Sequence, residues 1–216
     1  MIREFTLTEF WVIAAGLWAT LLLSGLAFVC GGIGGLGVAL ARTAPIRGLR
    51  LAAGVFIDFF QGTPMLLQLF LVFYGLPVLG IKVNVWVAAA FALALHAGAF
   101  LGEIWRGGIQ AVPHGQTEAA EALGLTYLTR MRHVVLPQAL RMSFAPTVGF
   151  LVQLIKGTSL AAIIGFVELS RSGQLVSSIT YKPLLAFGLV AVCYFAICFP
   201  LSRYSARIER RLAVGR

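Results

Sequence analysis

Hydrophobic positions along the chain come in long blocks, and polar positions come in short ones. Phe10 to Ala41 has no charged residue, and Leu51 to Ile81 has only Asp58. Val83 to Gly102 has none, Met142 to Val167 is interrupted by Lys156 alone, and Pro183 to Ser202 is again uncharged. About 20 apolar residues cross the roughly 30 Å hydrocarbon core of a bilayer as a helix, so the pattern predicts five crossing helices. Gln61-Gly62-Thr63-Pro64 interrupts the second, Pro77 ends it, and Gly80 to Asn84 forms a short loop with Lys82. Glu103 and Arg106 close the third and are spaced to pair at i, i+3. Gly31, Gly32, Gly34, Gly35 and Gly37 would weaken a soluble helix but let helices approach closely in a bilayer. The Gly31/Gly35 small-xxx-small pair reads as packing rather than dimerisation.

Composition agrees with this reading. Of 216 residues, 59% are hydrophobic and 12% charged, against about a quarter charged in soluble domains. The predicted class is an all-α integral membrane protein, a single transmembrane domain over residues 1–216. A net charge of +9 raises nucleic acid as a partner, but no nucleic-acid module is present. The basic residues instead cluster in short loops between apolar runs, as the positive-inside pattern requires. Twelve lie at 42, 47, 50, 106, 130, 132, 141, 203, 207, 210, 211 and 216; the other five of 17 are Arg3, Lys82, Lys156, Arg171 and Lys182. That asymmetry predicts an outside N-terminus and a cytoplasmic C-terminus. The stretch from Glu168 to Lys182, with Ser170, Ser172, Ser177 and Ser178, then reads as a polar outer segment. A cysteine at Ser172 is expected to react with an impermeant reagent from outside, and one at Arg211 is not. Cys30, Cys193 and Cys198 sit in apolar runs as small buried residues, with no disulfide or metal role. The first apolar run is too long for a cleavable signal peptide and lacks a clear cleavage site.

The most polar stretch is Pro113 to Arg141. Gln116 to Leu123 is rich in helix formers, with Thr117 and Gln116 as cap-like side chains. Ala119, Ala120 and Leu123 fall on one face. Gly124 permits a turn, Thr126 to Val134 is predicted as a second short helix, and Pro137 opens the helix that follows. An amphipathic loop on lipid headgroups, with Arg130, Arg132 and Arg141 on anionic lipid, satisfies the same composition.

The order Glu118-Ala119-Ala120, three residues, Gly124, nine residues, Val134, one residue, Leu136-Pro137 resembles the EAA loop of membrane subunits of type I ABC importers, with Val134 where Ile is usual. QGTPMLLQLFLVFYGLP, GEIWRGGIQAVPHGQTEAAEALGL and KGTSLAAIIGFVEL narrow the resemblance to the polar amino acid uptake permeases, the His/Glu/Gln/Arg/opine group, over residues 15–210. The resemblance implies a five-helix permease core in the bacterial inner membrane. It implies pairing with a second copy or a homologous permease, two cytoplasmic ATPase subunits docked on the loop at about 113–137, and an extracytoplasmic binding protein that delivers substrate. ATP would be bound by the ATPase partners. This chain has no phosphate loop, no nucleophile triad and no metal-ligand spacing, and is expected to be non-catalytic and to hold no cofactor. Two residues depart from the family pattern: Gln61 stands where Arg is usual, and Gly157 where Asp is usual.

Charges within a span are costly and normally face a cavity or a partner. Asp58 is either a structural carboxylate satisfied by Gln61 or a helix cap, or a pathway group. Lys156 is either paired in the bundle, with Asp58 as one partner, or a contact for a substrate carboxylate. Gly62, Thr63 and Pro64, and Gly157, Thr158 and Ser159, offer free backbone groups and hydroxyls to a cavity. His96 reads as a packed hydrogen-bonder. The alternative function is an ion-gradient-driven secondary transporter or channel with Asp58 and Lys156 as relay groups, which leaves Glu118 to Pro137 unexplained.

Overall fold

A backbone group without a partner costs several kcal/mol in hydrocarbon, so uncharged runs of this length must become helices. In the computed structural model, which describes residues 5–213, they do, and no strand occurs among those residues. The helices are α1 (Leu7–Thr43), α2 (Arg47–Gly62), α3 (Met65–Val78), α4 (Val85–Gln110), α5 (His114–Ala122), α6 (Tyr127–Ile164), α7 (Leu169–Thr180) and α8 (Pro183–Ala213). α1, α4, α6 and α8 are each long and apolar enough to cross a membrane. α2 and α3 meet at a bend of 107°; counted together as one broken span, they bring the candidate spans to five. Arg3 and Arg216 of the charge asymmetry lie outside the described residues.

Lipid tails are as apolar as leucine, so helices in a bilayer associate through close packing and hydrogen bonds. The most extensive pairing is α1 on α4, and it is built on small residues. A Cβ on Gly31 would stand 2.5 Å from the Ala97 Cβ and 2.7 Å from the Ala94 carbonyl oxygen; one on Gly102 would stand 2.7 Å from a Val38 methyl. Gly31 and Gly35 therefore serve packing within the chain. Leu23, Leu69, Leu93, Leu101, Leu154 and Phe166 fill the centre between α1, α3, α4 and α6.

Two predictions of local structure are corrected. The short helix ending at Val134 and the helix opened by Pro137 are one continuous α6, capped by the Thr126 hydroxyl. A π turn at Met131–Val135 joins them, with Leu136 N–H donating five residues back to Met131 O. That widened turn brings Pro137, which has no N–H to give, into the helix without ending it. α3 has the same device, a π turn at Leu71–Gly75 just before Leu76-Pro77.

The second correction concerns residues 168–182. The polar segment is the helix α7, whose Leu169, Ser172, Val176 and Thr180 are buried against α1 and α8. Ser172 is 1% exposed and lies against Gly16 of α1, so it is not the accessible site expected of it. Glu168 is wholly buried. Its carboxylate caps α7 by accepting from Ser170 N–H at 2.8 Å and Arg171 N–H at 2.7 Å, and it also accepts from the Tyr194 hydroxyl at 3.0 Å.

Candidate functional site

The site residues fall in two regions. The first is the loop between α4 and α6. α5 begins directly after Pro113, and no side chain caps it; Gln116 and Thr117 lie inside the helix instead of before it. Ala120 is its single buried residue, and the helix rests against the π turn of α6. Ala119 and Leu123, assigned to the same face, are exposed, Leu123 at 79%. Gly124 ends the helix at φ 72°. Leu125 N–H reaches back to Ala120 O at 3.1 Å and Gly124 N–H to Glu121 O at 2.9 Å, the bond pattern of a glycine-terminated helix whose left-handed residue needs no Cβ.

A salt bridge from Arg130 to Glu121 ties α6 to α5, and the same guanidinium lies over the Tyr127 ring at 5.6 Å. Arg130 is thus committed within the loop, whereas Arg132 and Arg141 stay exposed. Glu118, Ala119, Gly124 and Pro137 are exposed, while Leu136 packs with Val112, Met131, Val135 and Ala139 at the base. The result is a pinned helix that offers a carboxylate, small side chains and apolar Leu123, Tyr127 and Leu128 to whatever covers it. Where α4 ends, the expected Glu103–Arg106 pair is present.

The second region is the break in the α2–α3 span. Asp58, Gln61, Gly62 and Pro64 are exposed and Thr63 is half-buried. The Thr63 hydroxyl donates to Phe59 O at 2.7 Å. On α6, Lys156 is exposed, and Thr158 and Ser159 donate to Ile155 O and Lys156 O, each at 2.8 Å, where the α-helix tightens to a 3₁₀ turn over Thr158–Ile164. A Cβ on Gly157 would stand 2.9 Å from the Met65 methyl, so the Gly157 turn and the first residue of α3 touch. The break and the Lys156–Ser159 turn are therefore brought together. Asp58 and Lys156 are not paired: neither makes an ion pair or a side-chain hydrogen bond among the described residues, and Asp58 is not held by Gln61. The Met65 contact also gives a physical reason for glycine at 157, because a larger side chain needs Met65 to move.

Two polar residues are buried where the sequence pattern gives them no such role. Gln68 is 3% exposed; its signal was one amide in an apolar run, one turn after Pro64. Glu168 was grouped with the polar segment, although it immediately precedes helical spacing at Leu169, Ser172, Val176 and Thr180. His96, read as a packed hydrogen-bonder, is one: its Nδ1 lies 2.9 Å from Gln68 Oε1, and its ring stacks on Phe100.

Comparison with known proteins places this geometry. The L-cystine transport system permease protein TcyB of Bacillus subtilis is 38% identical over 206 residues, covering 94% of this chain and 88% of that protein. A putative glutamine transport system permease protein, GlnP of Rickettsia conorii, is 35% identical, with 94% of both chains covered. A crystal structure of an amino acid ABC transporter with histidines superposes with a TM-score of 0.89 at 33% identity, covering 98% of this chain and 100% of that one. Residues 31–214 match the family of binding-protein-dependent transport system inner membrane components. With its broken second span and its helical loop before α6, this chain belongs to that family, as a multi-pass membrane permease.

Proposed function

We propose that this chain is the membrane-spanning permease subunit of an ATP-driven importer for polar amino acids. The relatives' names supply the substrate class. The observation that carries the coupling role is α5, a helix pinned from beneath by Ala120 and the Arg130–Glu121 pair yet bare on its outer face. Glu118, Ala119, Ala120, Gly124, Leu136 and Pro137 form the docking element for one of two cytoplasmic ATPase subunits, with Leu136 and Ala120 holding it from below. ATP is bound by those partners. A second copy, or a homologous permease, covers the faces that one chain leaves open, and an extracytoplasmic binding protein delivers substrate at the opposite surface. The N-terminus lies outside and the C-terminus inside, which puts α5 on the ATPase side.

The pathway is assigned to Asp58, Gln61, Gly62, Thr63 and Pro64 at the break, together with Lys156, Gly157, Thr158 and Ser159. Among the described residues the exposed Asp58, Gln61 and Lys156 side chains make no ion pair or hydrogen bond, the setting in which intramembrane charges serve a pathway. Alternating access follows when closure of the ATPase pair moves α5 and, through it, α6.

Gly124→Val tests the docking role, because a β-branched residue is strained by about 1–2 kcal/mol or more in the left-handed region. The variant is expected to insert normally, to lose most co-purifying ATPase, and to lose uptake of radiolabelled polar amino acids in proteoliposomes. Full ATPase recovery together with wild-type uptake would remove the docking role.

A further inference from the structure

The break in the second span creates a hydrogen-bonding deficit. In an unbroken helix, Phe60 O would accept from the N–H of residue 64, but Pro64 has none. Thr63 O and Phe60 O would then be carbonyls without donors at membrane depth, where each costs several kcal/mol.

Gln68 supplies what is missing. Its Nε2 lies 2.8 Å from Phe60 O, 3.0 Å from Thr63 O and 2.9 Å from Thr63 Oγ1. The Thr63 hydroxyl spends its own hydrogen on Phe59 O, so toward Gln68 it is an acceptor. Three acceptors therefore face one amide nitrogen with two hydrogens. Turning the amide over would aim its oxygen at two carbonyls that can only accept, so Nε2 must face the break and Oε1 must face α4. There Oε1 meets His96 Nδ1 at 2.9 Å. Because Oε1 can only accept, Nδ1 must carry the hydrogen. The Nε2–H tautomer of neutral His96 would set two lone pairs against each other and turn Gln68 out of register.

We propose that Gln68 and His96 are a positioning pair: Gln68 gives Phe60 the hydrogen bond that Pro64 withholds, and His96 locks the amide in the one orientation that does so. The pair holds the 107° bend and with it the Gln61–Pro64 segment and the Met65 contact to Gly157. Gln68 is buried and His96 half-buried, whereas Asp58 and Gln61 are exposed. The tests below read conformation and stand whether or not the transport reading holds.

Leu51 and Val78 are exposed at the two ends of the broken span, and spin labels there report the bend. At about 1.5 Å rise per residue, the two arms are about 18 and 21 Å long, which puts these positions about 23 Å apart at the observed bend and about 39 Å apart in a straight helix. In the full chain in lipid nanodiscs, with the three native cysteines replaced by alanine, a single narrow distribution near the shorter distance is expected. Gln68→Leu is expected to broaden it and shift it by several ångström toward the longer one. His96→Phe keeps the ring stack but removes the donor, and is expected to broaden it less. Adding Pro64→Ala to Gln68→Leu restores a backbone donor for Phe60 and should give a narrow distribution at the long distance. A Gln68→Leu distribution identical to wild type overturns the proposal, as does a double variant that returns to the short distance.

Should Gln68→Leu fail to insert, nitrogen NMR of the otherwise unaltered chain decides. With His114 and His133 replaced by glutamine, the single labelled imidazole of His96 is expected to carry its hydrogen on Nδ1. A hydrogen on Nε2 alone overturns the proposal.

Discussion

At Gly31 there is no room for even one methyl group, because the carbonyl oxygen of Ala94 would stand 2.7 Å away and a backbone cannot step aside. Gly34, one turn on and facing outward, has nothing within 4 Å of the same added atom. Gly31→Ala is therefore expected to prise α1 from α4 at a cost of about 1–3 kcal/mol, the range for overpacking. Gly34→Ala should be neutral or slightly stabilising, as alanine is in helix interiors. Thermal unfolding of the two variants in the same detergent checks the contrast, and equal melting temperatures would contradict it. Glu168 makes a second residue-level case. Glu168→Ala removes the cap of α7 and one bond to the Tyr194 hydroxyl, which keeps Ser170 Oγ at 3.1 Å, so a loss of about 2 kcal/mol is expected. Tyr194→Phe deletes one of the three bonds to that carboxylate and should cost nearer to 1 kcal/mol. A larger loss from the tyrosine change, by the same assay, would mean that Glu168 is held some other way.

Among the elements, the spans were legible and their joints were not. Long apolar runs with at most one charge satisfy their backbone groups as helices in a bilayer, which is why α1, α4, α6 and α8 follow from composition. The repair of the α2–α3 break depends on Gln68 folding back over Phe60 and Thr63 from the far side of a proline, and linear spacing does not show that. Gly124 was legible because a left-handed helix end selects glycine by itself. Charge alone cannot name a partner across the fold, and the Lys156–Asp58 pair expected as one alternative is absent among the described residues. α7 misled for a different reason: its buried face is made of Ser172, Gly173 and Thr180 as well as Leu169 and Val176, so polarity hid its helical period. Its burial changes the choice of topology probe. A cysteine at Ser172 should resist thiol reagents from both sides of the membrane. One at exposed Ser178 should label from outside, and one at Arg211 from inside. Labelling of Ser178 from the cytoplasmic side would reverse the proposed orientation.

The molecule as a whole is unfinished as a single chain. Only 17% of the most apolar window of α8 is buried, and Asp58, Gln61 and Lys156 are exposed. Because Lys156 has no ion-pair or hydrogen-bond partner to strand among the described residues, Lys156→Met should change stability by no more than about 0.5 kcal/mol, as for an ordinary surface position. Expression, assembly with a second permease and basal ATP hydrolysis by the complex should persist, while substrate-stimulated uptake in proteoliposomes is lost. Unchanged uptake would remove Lys156 from the pathway; failure to assemble would make it a structural contact between permeases.

The unbroken run of α6 from the loop to the Gly157 turn has a mechanical consequence. Tyr127 to Gly157 spans about 45 Å at the rise of an α-helix. A rigid rod of that length, tilted by about 5° at its Tyr127 end, swings Gly157 by about 4 Å, enough to part it from Met65. Pro146 stands two-thirds of the way along, where the missing backbone hydrogen bond makes a natural pivot. If the rod flexes there instead, the working arm shrinks to about 16 Å and the same tilt delivers little more than about 1 Å. The stiffness of a single turn around Pro146 thus sets the gearing between the two ends of the helix.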